Sequence, residues 1–161
     1  MATQVAVGAL KKTDLLQGLT DKELAEIAKF TKENNHQAGE TIVTLGGEAD
    51  AVYIVKKGRV GVESKIPDVP HGRKEIIVAT LKDGETFSWS ALMKRKVTAT
   101  IRTMEPTKSI EIDASALLGL CEKNPRIGYV IMKNLAQVIS SRLTRHRLAL
   151  LSAVTGVGEG W

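Results

Sequence analysis

The sequence predicts a mainly β chain with flanking helices: an antiparallel β-roll or barrel, preceded by N-terminal helices and followed by a long C-terminal helix. Three observations predict it. Six short runs rich in β-branched residues lie between positions 41 and 113, separated by turn signals. A helix-start signal precedes them at Thr20, and an apolar pattern with helical spacing follows them. With 161 residues, 43% of them hydrophobic, the chain is long enough for one domain with its own core and too short for two of ordinary size.

Taken in order, Thr20-Asp21-Lys22-Glu23 fits a capping box, in which the Thr hydroxyl and the Glu carboxylate each satisfy a free amide at a helix start. Leu24, Ile27 and Ala28 then form an apolar stripe. Strands are expected over 41–45, 51–55, 59–63, 75–81, 97–103 and 109–113. Their separators are Gly39, Gly46-Gly47, Gly58, Asp83-Gly84 and Glu105-Pro106, where the backbone turns at low cost. Asp113 suits the N-cap of a helix over 114–122, and Asn124-Pro125 starts another that runs from about Arg126 to Leu151. Ile127, Val130, Ile131, Leu135, Val138, Ile139 and Leu143 give that last helix one broad apolar face. A helix so long outreaches a small roll, so part of the face is expected to meet a second copy of the chain in a homodimer. The organisation expected is a single domain over 1–161, with an N-terminal helical segment over 1–34 and the β-roll over 35–113. Helices are expected over 114–152, a flexible tail over 153–161, and a loose loop with two prolines over 65–73.

Charge and composition exclude several classes. No apolar run approaches the roughly 20 residues that span a bilayer, and the N-terminus lacks a signal-peptide layout, so a soluble cytoplasmic protein is expected. Cys121, the single cysteine, cannot form an internal disulfide and sits among Leu117, Leu118 and Leu120 as a small buried hydrophobe. The net charge of +5 concentrates in one place: from Lys123 to Gly158 there are six Lys or Arg residues and no acid. That excess attracts nucleic acid or an acidic partner, or else Arg142, Arg145 and Arg147 simply oppose the negative end of the helix dipole. The three histidines, His36, His71 and His146, are too scattered for a metal site. No activated nucleophile or P-loop is visible, and the run Gly156, Gly158, Gly160 lacks the strand-to-helix context of a nucleotide fingerprint, so no catalytic residue is expected.

Gly39-Glu40-Thr41-Ile42, then Gly46, Tyr53-Ile54-Val55, Gly58, Val60 and Val62 follow one another at a spacing that resembles the first hairpins of the cyclic-nucleotide-binding domain family. That family includes the bacterial cAMP receptor protein and the regulatory subunits of protein kinase A. The similarity runs from about Leu15 to Leu143, and Asn124-Pro125 with Arg142-Leu143 resembles the family's long last helix. It implies the double-stranded β-helix, jelly-roll-like form of the roll, and a regulatory rather than enzymatic role.

The resemblance also implies a phosphate-binding cassette, reading approximately Phe-Gly-Glu, an apolar residue, Ala-Leu, then Pro-Arg, one residue and Ala-Thr. In the family its amides cradle the phosphate, its Glu accepts from the ribose hydroxyl and its Arg offsets the phosphate charge. Here Phe87, Ala91, Leu92 and Ala99-Thr100 match, whereas Ser88 stands for Gly, Trp89 for Glu, Lys96 for Pro and Val97 for Arg. An indole has only a donor and cannot accept from a ribose hydroxyl, and valine cannot offset a phosphate. Binding of cAMP in the usual way is therefore not expected.

Other contacts are candidates to replace the missing ones. Lys94, Arg95 and Lys96 either reach the place of the family arginine or remain solvated on their turn. Trp89 either stacks on an aromatic ligand or fills the cavity. Ser88, Ser90 and Thr98 offer hydroxyl donors, and by position in the last helix Arg142, Arg145 and His146 approach a ligand. The function expected is that of a sensor of a cyclic nucleotide or another small anionic or aromatic ligand, acting through movement of the last helix. A ligandless module that docks a partner protein is the alternative, as is a partner-dependent transcription regulator. Direct sequence-specific DNA binding is not expected, because only about ten residues follow Leu151 and a helix-turn-helix needs more than twice that.

Overall fold

The computed structural model describes residues 5–66 and 75–156. His71, most of the proline-containing loop and the end of the expected tail, 157–161, lie outside them.

A short helix α1 (Val7–Leu10) leads through a loop that buries Thr13, Leu15, Leu16 and Leu19 to α2 (Asp21–Ala28), whose start is the expected capping box: Glu23 N–H donates to Thr20 Oγ1 at 3.3 Å and Thr20 N–H to Glu23 Oε2 at 2.8 Å. Eight strands follow: β1 (Thr31–His36), β2 (Thr41–Val43), β3 (Ala51–Lys57), β4 (Val60–Lys65), β5 (Glu75–Leu81), β6 (Thr86–Phe87), β7 (Thr100–Thr103) and β8 (Thr107–Asp113). They form two antiparallel four-stranded sheets, in the orders β1-β8-β3-β6 and β2-β7-β4-β5. Then come α3 (Ala114–Lys123) and α4 (Pro125–Thr155). This is the β-roll with flanking helices that the sequence predicts.

The two strands beyond the expected six are those with little hydrophobic signal. Thr-Lys-Glu-Asn-Asn-His in β1 has a single buried residue and is a sheet edge that exists by pairing with β8 along its whole length, and its first four residues fall in the segment expected to be helical. β6 is two residues long. Val97 was expected within a strand, yet β7 begins at Thr100: Val97 instead exchanges hydrogen bonds with the glycine turn, donating to Gly47 O at 3.0 Å and accepting from Gly46 N–H at 2.8 Å.

The apolar core has two parts. Leu10, Leu15, Leu16, Leu24 and Ile27 from the N-terminal elements pack with Ile110, Ile112, Leu117, Ile127 and Ile131 against one sheet. Cys121 lies half-buried at its margin, where burial pushes its thiol up from the ordinary value. Val55 and Phe87 of one sheet meet Val60, Leu81 and Ile101 of the other inside the roll.

Helix α4 starts with Asn124 accepting from Ile127 N–H at 3.4 Å and Pro125 in the first turn; its last residue, Thr155, is four beyond the expected Leu151, and Gly156 caps it in the left-handed region. It crosses close to α3 because Gly128 has no side chain: a Cβ there would lie 2.9 Å from Cys121 O. Its first half buries Ile127, Ile131, Leu135 and Val138. Asn134 is buried among them and donates to Leu15 O at 2.9 Å and Gln17 O at 2.8 Å, pinning the helix to the N-terminal loop. From Ile139 onward the apolar residues are exposed: Leu143, Leu148, Leu150, Leu151 and Val154 are each more than half open to solvent.

Candidate functional site

The site begins at a tight turn. Gly84 has φ of 84°, and a Cβ there would sit 2.7 Å from Lys12 O, so the turn after β5 can press against the N-terminal loop only as glycine. Asp14 N–H then donates to Gly84 O at 2.9 Å, while the Asp14 carboxylate accepts from Thr86 N–H at 3.2 Å and from the Thr86 hydroxyl. Burial pushes the Asp14 carboxyl above the ordinary carboxylate range, although the Thr86 hydrogen bonds and Arg142 pull it back. β6 is thereby fixed before the chain turns into the cassette.

Beyond Phe87, whose ring stacks on Tyr53 with centroids 5.4 Å apart, the backbone enters the left-handed region at Ser88. A 3₁₀ helix, Trp89–Met93, follows, and Lys94 leaves it again in the left-handed region. Two non-glycine residues in that conformation cost of order 1–3 kcal/mol each, a concentration of strain of the kind found at ligand clamps.

This turn forms one wall of a cavity of about 320 Å³. Ser88, Trp89, Ser90, Val97 and Thr98 line it from the cassette, and Ile139, Arg142, Leu143 and His146 line it from α4. The strands contribute Val43, Val62, Val78 and Ile101, so the walls are mostly apolar with a few polar groups, the usual make-up of a binding cavity. Neither Asp nor Glu lines it among the described residues.

Arg142 is the dominant polar group. It is 8% exposed, its guanidinium lies 4.8 Å from the centre of the Trp89 ring, and its Nη2 donates to Thr86 O. Burial lowers its pKa and the carboxylates of Glu85 and Asp14 counteract that, leaving the side chain a cation. Two buried polar atoms have no partner among the described residues, Arg142 Nε and Ser88 Oγ, and both belong to residues lining this cavity.

The structure thus brings together Ser88, Trp89, Ser90, Val97, Thr98, Arg142 and His146 of the sequence-derived candidates. The others point elsewhere. Ala91, Lys94, Arg95 and Lys96 border a separate hollow that Glu48, Asp50 and Asp113 also line, and the three cations are exposed there. Arg145 pairs with Glu85 at 2.7 Å rather than facing the cavity. One face of the Trp89 ring is occupied by Arg142, and the ring stands beside a cavity that remains open. Sequence reasoning missed Asp14 and Thr86, which carry no local motif and do not line the cavity but hold its edge: Gly84 brings the N-terminal loop against β6, Asp14 accepts from Thr86, and Thr86 O accepts from Arg142. No group of three His, Cys, Asp or Glu side chains among the described residues is placed to hold a metal ion. No helix among them is long and apolar enough to cross a membrane.

A family model described as the cyclic nucleotide-binding domain matches residues 33–124. Over 134 residues the chain is 31% identical to Glutaminase 1 of Bradyrhizobium diazoefficiens, an alignment covering 83% of this chain and 21% of that protein. It is 29% identical over 113 residues to the cAMP-dependent protein kinase regulatory subunit of Dictyostelium discoideum, covering 70% of this chain and 34% of that one. The chain spans about a fifth of the first relative's length and about a third of the second's. In fold it is similar to the crystal structure of a cyclic nucleotide-binding domain from Methylobacillus flagellatus, with a TM-score of 0.78 at 18% identity over 91% of this chain and 81% of that one.

Proposed function

The chain belongs to the cyclic nucleotide-binding domain family, and from that premise we propose that it is a regulatory small-ligand sensor that does not take cAMP in the usual way. Its output is movement of α4. Residues 1–161 act as one such domain, cytoplasmic and homodimeric through the exposed second half of α4.

One observation carries this reading. Arg142 belongs to the last helix, yet its guanidinium lies on Trp89 of the cassette and its side chain walls the cavity. Whatever enters the cavity changes contacts that hold α4 to the roll, and a ligand with different affinity for the two helix positions shifts the balance between them. The usual ligand is disfavoured because, among the described residues, no carboxylate lines the cavity to accept from a ribose hydroxyl, and Val97 stands where the family arginine does. Losing two charge-assisted hydrogen bonds of about 1.5–3 kcal/mol each weakens binding by a few powers of ten.

Calorimetric titration with cAMP, cGMP and a panel of nucleotides and small acids tests this, followed by hydrogen exchange along α4. The sensor reading predicts binding by some member of the panel, altered by Trp89→Ala, with changed exchange beyond Ile139. Silence across the panel favours the second reading, a ligandless interaction module. The feature that supports it is the apolar run Leu143, Leu148, Leu150, Leu151 and Val154, which offers a partner protein or a second copy a docking surface. A strictly monomeric sedimentation profile at high protein concentration contradicts the homodimer.

A further inference from the structure

We infer that Thr98 is a phosphorylation site, selected by a protein kinase through the basic run before it and felt by α4 across the cavity. Lys94-Arg95-Lys96 is the one run of three Lys or Arg residues in the sequence. All three are exposed on the way out of the cassette, and none of them lines the cavity. They precede two threonines that the fold treats differently. Thr100 is buried in β7, where its hydroxyl accepts from Leu45 N–H at 3.1 Å. Thr98 is exposed, two residues after the run, and the stretch 95–98 belongs to neither helix nor strand. That stretch is tied down by the hydrogen bond from Arg95 N–H to Ser90 O and by the two at Val97, so it opens at lower cost than a strand paired along its length. A cationic run that presents an exposed hydroxyl on irregular backbone complements a kinase substrate cleft lined by carboxylates.

The step is phosphoryl transfer from a nucleoside triphosphate. Thr98 Oγ1 attacks the γ-phosphorus, the bond from that phosphorus to the β–γ bridging oxygen breaks, and the nucleoside diphosphate leaves with its electron pair. The hydroxyl proton passes to a carboxylate of the kinase. The product carries about two negative charges at neutral pH and three acceptor oxygens. Thr98 lines the same cavity as Arg142 and His146 of α4, and neither Asp nor Glu lines it among the described residues. Glu85 and Asp14 act on the Arg142 charge from outside the cavity wall, and α4 itself contains no acid. The new dianion is therefore placed between the basic run of its own turn and the cation of the facing helix. It adds an attraction between cassette and α4 that the unmodified chain lacks, and it holds the helix against the roll without any free ligand.

Incubation of the full chain with ATP and a serine/threonine kinase that prefers basic substrates, read by phosphopeptide mass spectrometry, tests the site. Phosphate is expected on Thr98. Incorporation is expected to fall at least about tenfold in the K94Q/R95Q/K96Q variant, whose three changes lie on the surface and leave the fold intact. Hydrogen exchange tests the consequence. Beyond Ile139 it slows about tenfold in the phosphorylated chain, the worth of one charge-assisted hydrogen bond, whereas in Arg142→Met the phosphorylated and unmodified chains exchange alike. Thr98 left bare, or incorporation undiminished in the glutamine variant, overturns the site. A phosphorylated Thr98 that leaves exchange in α4 unchanged, or slows it as much in Arg142→Met, overturns the link to α4. Neither failure touches the sensor reading, which the nucleotide titration of the unmodified chain decides.

Discussion

The helical side of the molecule and the inside of the roll are built from similar residues but finished differently. On the helical side Leu10, Leu15, Leu16, Leu24, Ile27, Ile110, Ile112 and Leu117 are wholly buried against one another. Inside the roll the apolar cluster is smaller, a cavity of about 320 Å³ remains beside it, two residues adopt left-handed backbone and two buried polar atoms lack partners. Close packing makes one side resistant to change, whereas the other carries strain and unmet hydrogen bonds, the features on which the proposed response to a ligand rests. Helix α4 belongs to both: Asn134 anchors it to the packed side, and eight residues later Arg142 fastens it to the responsive one.

Substitutions that fall on the two sides sharpen this contrast. Ile112→Ala, in the packed side, leaves a void among residues that cannot relax and lowers stability by about 2–5 kcal/mol in denaturant unfolding. Arg142→Met removes a hydrogen bond from a charged donor and a cation–π contact, and lowers stability by about 1–3 kcal/mol. Hydrogen exchange rises in α4 beyond Val138 in that variant, while the half around Asn134 stays protected. A loss of protection along all of α4 breaks the contrast.

Ser88→Gly has the opposite sign. It relieves left-handed strain and deletes an unpartnered buried hydroxyl, so it stabilises the unliganded protein by about 1 kcal/mol in the same unfolding measurement. A destabilisation indicates that the hydroxyl has a partner and the side is less strained than described.

The smallest effect is a pH dependence. Burial raises the Asp14 carboxyl above its ordinary value of 3.8, so between that value and the raised one the folded state binds more protons than the unfolded. The contribution is fully present below 3.8 and is lost as pH rises through the folded value. Unfolding curves measured across that window fall with pH more steeply for the natural chain than for Asp14→Asn, and parallel curves contradict the burial of this charge.

Sequence showed the packed side more fully than the responsive one. The capping box at Thr20, the apolar stripe of α2 and the Asn124-Pro125 start of α4 are local signals, and each fell where expected. β1 gave no such signal because a polar edge strand is defined by its partner β8. At the site, the residues of the cassette were legible through their resemblance to a family pattern, including the departures at Trp89 and Val97. What filled the gap was legible only in part: Arg142 was a candidate by its position in the last helix, as Lys94, Arg95 and Lys96 were by nearness to the cassette, but its seat on Trp89, over fifty residues away in sequence, was not foreseen. Contacts between distant segments depend on how helix and roll pack, which no spacing within either segment encodes.

The central claim is that the roll keeps its form while its cavity has exchanged the grip on a sugar phosphate for an internal Arg142–Trp89 contact. A crystal structure grown with cAMP in large excess tests it most directly. The account predicts Arg142 stacked on Trp89 and no nucleotide in the cavity. A cAMP molecule seated against residues 87–100, its phosphate neutralised by a nearby cation, contradicts it.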